Sequence, residues 1–274
     1  MRAELPTNPE SPDPAAPYIP PPSSAPRKTI LEVGPSSLLR WLRLAVGDMR
    51  AHPGISSFYG VAFWTMALVL GAVFKSNPEY TMSIASGCLL LGPFLAMGLY
   101  EVSRRRELGL APDLASSITC WDTHIPSMGM LVLVLIVLEL LWGRASLVVF
   151  AVFFNTGMPS TTGVIQAVFN PDNWEFLIAY AVIGGAFAAL VFSIAVVSIP
   201  MILDRDTDAV FAAITSLEVV FHNTGTMVCW GIVITGLVLL ALLTPWAVGL
   251  LLVGPLLGHA SWHAYRGLVQ WPAD

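Results

Sequence analysis

The sequence predicts an all-α, polytopic membrane protein. Six transmembrane helices form three hairpins, each preceded by an amphipathic helix on the cytoplasmic side. Three observations lead there. Hydrophobic residues make up 55% of the 274 residues and charged ones 11%, with a mean hydropathy of +0.72. A soluble domain is about a quarter charged, so this chain has too few polar side chains to cover a water-facing surface. The apolar residues gather in stretches near the ~20 residues that a helix needs to cross a hydrocarbon core of about 30 Å. Lys and Arg fall in alternate connections between those stretches.

The chain opens with nine prolines in its first 26 residues, mixed with Ser, Ala and Asn. Such a composition buries too little apolar surface to fold, so residues 1–35 read as a disordered, proline-rich cytoplasmic tail. It lacks the apolar stretch of a cleavable signal peptide. Its sharper reading is a docking segment for a proline-recognising partner.

Residues 36–274 form the membrane domain, with spans expected at 57–74, 81–100, 128–154, 175–203, 226–244 and 246–265. The third carries Glu139 and Arg144, the arginine close enough to one end to reach the headgroups. The Thr244-Pro245-Trp246 turn is so short that the last two spans must be a tight antiparallel hairpin.

Orientation follows from the basic residues. Arg27, Lys28, Arg40, Arg43 and Arg50 precede the first span, Arg104, Arg105 and Arg106 separate the second from the third, Arg205 separates the fourth from the fifth, and Arg266 follows the sixth. The opposite connections hold Lys75 alone, and 155–174 hold no Lys or Arg. The positive-inside rule puts both termini in the cytoplasm.

A threefold internal repeat is also expected: interfacial helix, span, span, with a proline near the cytoplasmic end of the second span (Pro93, Pro200, Pro255). His52, His124 and His222 precede the first span of each copy. In 36–51, Ser36 can cap a helix whose stripe is Leu38, Leu42, Ala45, Val46 and Met49. In 207–222 the stripe is Val210, Phe211, Ile214, Leu217 and Phe221. Helices of this kind lie flat at the interface. The middle copy, 113–124, has a weaker pattern.

Aligning the prolines brings out the candidate chemistry. Four residues after them come Met97, Asp204 and His259, and eight after come Glu101, Asp208 and His263. Residues four apart share a helix face. If the three hairpins surround one axis, Glu101, Asp204, Asp208, His259 and His263 converge, and carboxylate with imidazole suits a divalent transition metal. Beside that stands a structural reading. Asp206 and Asp208 occupy N-cap positions, Glu101 neighbours three arginines, and His263 belongs to an aromatic interface with Trp262 and Tyr265. A bis-histidine haem would pair His259 with His222 or His124, and no CxxCH offers covalent attachment. No cofactor is assigned, with haem or a divalent metal as the candidates.

Glu139 falls near the bilayer midplane, either a proton-binding group or a protonated carboxyl hydrogen-bonded within the bundle. Arg144 lies about 140° around the helix from it, too far for direct pairing. Gly184 and Ala188 give the small-xxx-small spacing of close helix packing. Cys88, Cys120 and Cys229 lack CxxC spacing, and no nucleotide, metalloprotease or dinucleotide motif occurs. The arginine triplet attracts anionic lipid headgroups, so the partners expected are membrane lipids and other inner-membrane proteins, and no nucleic acid.

Three stretches resemble a known family: Gly92-Pro93 through Tyr100-Glu101 to Arg104-Arg105-Arg106-Glu107, Ser198-Ile199-Pro200 to Leu203-Asp204-Arg205-Asp206, and Gly258-His259 through Ser261-Trp262-His263 to Tyr265-Arg266. Together they are similar to a bacterial domain-of-unknown-function family of integral membrane proteins, some of whose members are labelled cytochrome c oxidase subunit I. The resemblance spans residues 38–270 and implies an inner-membrane protein, without catalytic residues to carry over. With so few buried polar groups, the expected role is a non-enzymatic accessory, assembly or scaffold component of a membrane complex. The alternatives are a small transporter or channel using Glu139, and a respiratory haem- or metal-binding protein.

Overall fold

The computed structural model describes residues 28–76, 81–154 and 173–272. The proline-rich tail up to residue 27 and the expected connection at 155–172 lie outside them. The helices are α1 (Ser37–Ala51), α2 (Pro53–Ser76), α3 (Thr81–Glu107), the short α4 (Leu114–Thr119), α5 (Ile125–Phe153), α6 (Trp174–Arg205), α7 (Ala209–His222), α8 (Thr224–Leu242) and α9 (Leu250–Leu268). Two short strands, β1 (Thr29–Ile30) and β2 (Val269–Gln270), pair antiparallel.

Four of the described helical stretches are long and apolar enough to cross a membrane: α2, the Leu114–Phe153 run that ends in α5, α6 and α8. Protein covers little of them. Only 11% of the most apolar window is buried in α2, and 39% in α6. Side chains such as Val152, Val182, Ile232 and Leu240 point outward, which only a lipid solvent or an apolar partner tolerates. The other two expected spans are helical but distinct. α3 is continuous through Pro93 to the arginine triplet. α9 is apolar for its first half only, and its second half, from His259 onward, is polar and aromatic yet buried. That burial comes from packing against α1, α2 and α3.

The tight turn after α8 is present. The Thr244 hydroxyl donates to the Ala241 carbonyl (2.6 Å) and accepts from the Gly249 amide (2.8 Å). Trp246 and Ala247 take positive φ to complete the reversal. α9 then crosses α2 so closely that a Cβ on Gly60 would lie 2.2 Å from the Leu251 carbonyl oxygen. Only glycine fits there. In the α5–α6 pair, Gly184 seats the Trp142 ring, 3.0 Å from where its Cβ would be.

Two of the three expected amphipathic helices, at 36–51 and 207–222, form with their faces shifted. α1 buries Leu38, Trp41, Ala45 and Asp48, so the inward stripe is rotated from the one expected. Ser36 makes no side-chain capping bond. α7 is turned over: Ala209, Ala212, Thr215, Ser216 and Val219 face inward, while Val210, Ile214 and Phe221 are exposed. Small residues let α7 lie close on α6 and leave the bulky apolar ones to face outward. The middle amphipathic helix expected at 113–124 is reduced to α4, capped by Asp113 through the Ser116 amide at 2.9 Å, and a 3-10 turn at Asp122–His124.

Residues 28–35, expected in the tail, are instead held as a strap. The Asn223 side chain accepts from the Val33 amide (2.9 Å) and donates to the Leu31 carbonyl (3.0 Å), and Thr226 donates to the Val33 carbonyl (2.6 Å). Lys28 pairs with Glu218 at 2.7 Å. The main core gathers at this end of the bundle, where Trp41, Met97, Met201, Trp230, Trp262 and Tyr265 meet.

Candidate functional site

The same end holds a buried polar knot centred on Asp48 of α1, which is 3% exposed. Its Oδ2 accepts from Ser103 Oγ of α3 (2.6 Å) and from His263 Nε2 of α9 (2.8 Å), and its Oδ1 pairs with Arg106. Ser103 Oγ also contacts His259 Nδ1 at 2.7 Å, and His259 Nε2 meets Ser56 Oγ of α2 at 3.1 Å.

With His259 neutral, the protons have one consistent arrangement. An ionised carboxylate only accepts, so the Ser103 hydroxyl donates to Asp48 and must accept from His259 Nδ1–H. His259 Nε2 then accepts from the Ser56 hydroxyl. The donors all run toward Asp48. Burial alone would raise the Asp48 carboxyl. The hydrogen bonds from His263 and Ser103, the charge interaction with His263 and the hydrogen bond from Arg106 outweigh burial and hold it at about 2. The buried charge is therefore retained, tying four helices together at one point.

The five side chains expected to converge do not form one cluster. His259 and His263 both reach Asp48, His259 at 3.8 Å from Oδ2. Glu101 turns to Arg104 (2.8 Å) and Arg105 (3.1 Å) on its own helix. Asp208 caps α7, accepting from the Val210 and Phe211 amides at 3.0 and 2.9 Å. Asp204 accepts from the Tyr265 hydroxyl (2.7 Å), which in turn accepts from Trp271 Nε1 (2.9 Å). Among the described residues, no group of three or more His, Cys, Asp or Glu side chains is arranged to hold a metal ion. Both ring nitrogens of the fully buried His259 are engaged by serines. His222 meets Glu32 at 3.3 Å, and His124 Nδ1 meets the Cys120 carbonyl at 3.0 Å. Glu139 is half-buried in the middle of α5, and Arg144 is exposed.

Beside the knot opens a cleft of about 900 Å³ between α1, α3, the end of α6, α9 and the strap. Arg40, Arg106, Arg205 and Arg266 line it, with Asp48 and Glu107 as the acids and Trp41 and Trp271 among its apolar walls. Glu107 holds Arg266 (3.0 Å) and accepts from Trp262 Nε1 (3.1 Å). Arg205 stacks over the Trp271 ring, 5.1 Å from its centroid.

Apolar helices barely covered by protein, joined to a polar end that carries the arginines, are what a membrane imposes. Residues 81–204 match the family model described as predicted integral membrane protein (DUF2189). The chain is an integral membrane protein. The matched stretch runs from the start of α3 to the end of α6, so it includes Glu101, Ser103, Arg106, Glu139 and Asp204. Asp48, His259 and His263 lie outside it. No curated protein and no solved structure matches the chain.

Sequence reasoning missed Asp48, Ser56 and Ser103. Asp48 had a signal: it stands seven residues after Trp41 and three after Ala45, an acid on an otherwise apolar helix face. Ser56 and Ser103 had none, because serine is common on helices that pack in membranes.

Proposed function

We propose that the protein is a non-enzymatic accessory or assembly component of an inner-membrane complex. Its six spans form three hairpins, and both termini and the cleft face the cytoplasm. One observation carries the reading: arginines from four segments that expected spans separate, Arg40, Arg106, Arg205 and Arg266, meet around one cleft. Hairpins that return to the same side bring them together, and the positive-inside rule makes that side cytoplasmic. The outward Val210, Ile214 and Phe221 of α7 support an interfacial position for that helix. The acids beside them serve as ties between helices, which supports a structural role over a catalytic one. The oxidase label attached to some relatives is no part of this reading, and a Soret band in the purified protein would reverse that exclusion.

Two measurements test it. Reporter fusions at Gly109 and at the C-terminus should both report cytoplasm, and a periplasmic signal at either removes the topology. Extraction in gentle detergent should yield a stoichiometric complex with another membrane protein. Purification as a lone monomer from native membranes, with cross-linking in intact cells also blank, removes the accessory role.

A further inference from the structure

We infer that the arginine-lined cleft is a binding site for a phosphate-bearing anion, supplied by a membrane phospholipid headgroup or by a soluble phosphoanion. The inference uses the cleft's side chains and does not depend on the accessory role. Four guanidiniums line the cleft against two carboxylates, Asp48 and Glu107, which leaves a net positive lining. The acids orient the arginines without neutralising them. Asp48 fixes Arg106, and Glu107 fixes Arg266 at 3.0 Å. Asp204, just outside the lining, stands 3.3 Å from Arg205 Nε and 3.7 Å from Arg266. A guanidinium has more N–H donors than one carboxylate takes, and its planar fork matches a phosphate. Arg40 makes no ion pair among the described residues, and its exposed side chain lines the mouth from α1.

The shape fits a small anion rather than a macromolecule. About 900 Å³ is the size of a ligand pocket, within the usual ~300–1,000 Å³. Its walls mix the arginines with Leu31, Val33 and Leu44. Arginines set among apolar walls, at the end where the helices leave the apolar layer, suit a headgroup whose acyl chains stay in the bilayer. His263, 14% exposed and bonded to Asp48, adds an imidazole to the same wall.

The test uses the full-length protein in neutral phosphatidylcholine nanodiscs, with three titrants: short-chain phosphatidic acid, inorganic phosphate and short-chain phosphatidylcholine. Binding is read as ligand-dependent thermal stabilisation and by native mass spectrometry. Phosphatidic acid should bind saturably and phosphatidylcholine should not. Inorganic phosphate binding as tightly as the lipid would assign the site to a soluble phosphoanion and still support it. Arg40→Gln should raise the Kd about tenfold, the loss of one charge-assisted contact, with the ligand-free melting midpoint unchanged. Arg266→Lys should weaken binding through loss of the fork. Arg43→Gln, on the exposed face of α1 outside the cleft, should leave the Kd unchanged. Failure of both phosphate and phosphatidic acid to bind overturns the inference. So does an equal loss in Arg40→Gln and Arg43→Gln, which would mark diffuse surface attraction rather than a site.

Discussion

The α5–α6 pair and the junction of α1, α3 and α9 join helices by opposite means. Along α5 and α6 the contacts are rings and small residues. Phe176 packs edge-on against Phe150 (5.2 Å between centroids) and Phe154 (5.0 Å), and Trp142 rests on Tyr180 (5.1 Å) and over Gly184. These contacts carry no charge and no hydrogen bond, and much of the surface of both helices stays exposed. At the junction one carboxylate collects Ser103, His263 and Arg106, and burial makes each bond matter. Lipid tails are as apolar as leucine, so they leave helix rotation almost free. A buried charge with fixed donors does not. The comparison teaches that this protein sets its geometry at the polar end and lets the apolar ends adapt.

Breaking the knot should have the largest effect. Asp48→Ala leaves Arg106, His263 and Ser103 without their acceptor and should cost about 3–5 kcal/mol, seen as a large fall in the detergent melting midpoint. Trp142→Phe on the other side should move it far less.

The pH dependence sharpens the same contrast. The Asp48 carboxyl is held at about 2 in the fold and titrates near 3.8 when unfolded. Its contribution is thus fully present above about pH 4 and is lost as pH falls toward 2. It amounts to about 2 kcal/mol. Melting midpoints measured from pH 6 downward should show this acid limb in the wild type and lack it in Asp48→Asn.

Ser56→Ala removes only the outermost hydrogen bond of the chain and should cost about 1 kcal/mol, with Asp48 and its acid limb intact. A drop as large as that of Asp48→Ala would mean that His259 rather than Asp48 anchors the junction. The smallest effect is expected at the apolar pair. Gly184→Ala gains helix propensity but presses on the Trp142 ring, and the two should cancel to within about 0.5 kcal/mol.

Much of this architecture was legible in advance. The apolar stretches became long helices, the turn at Thr244-Pro245-Trp246 reversed the chain, and Asp208 took the N-cap its position suggested. The inward faces were harder to read. On α7, hydrophobic periodicity pointed to Val210, Ile214 and Phe221, whereas Ala212, Ser216 and Val219 face the protein. Periodicity locates an apolar stripe, but in lipid the bulky stripe faces out and small residues make the contact. The proposed convergence of Glu101 with the aspartates and histidines failed for a related reason. Spacing along one helix fixes which residues share a face, and it leaves open which neighbour that face meets.

By itself the sequence determined the solvent, because a chain with 11% charged residues cannot clothe itself for water, and it determined the helical class that lipid demands. Tertiary structure alone decided the knot and the cleft. Asp48 meets partners 55 and 215 residues away, on helices whose rotation no local pattern encodes. That rotation is settled only where buried polar groups must find one another, and here they do so around a single carboxylate.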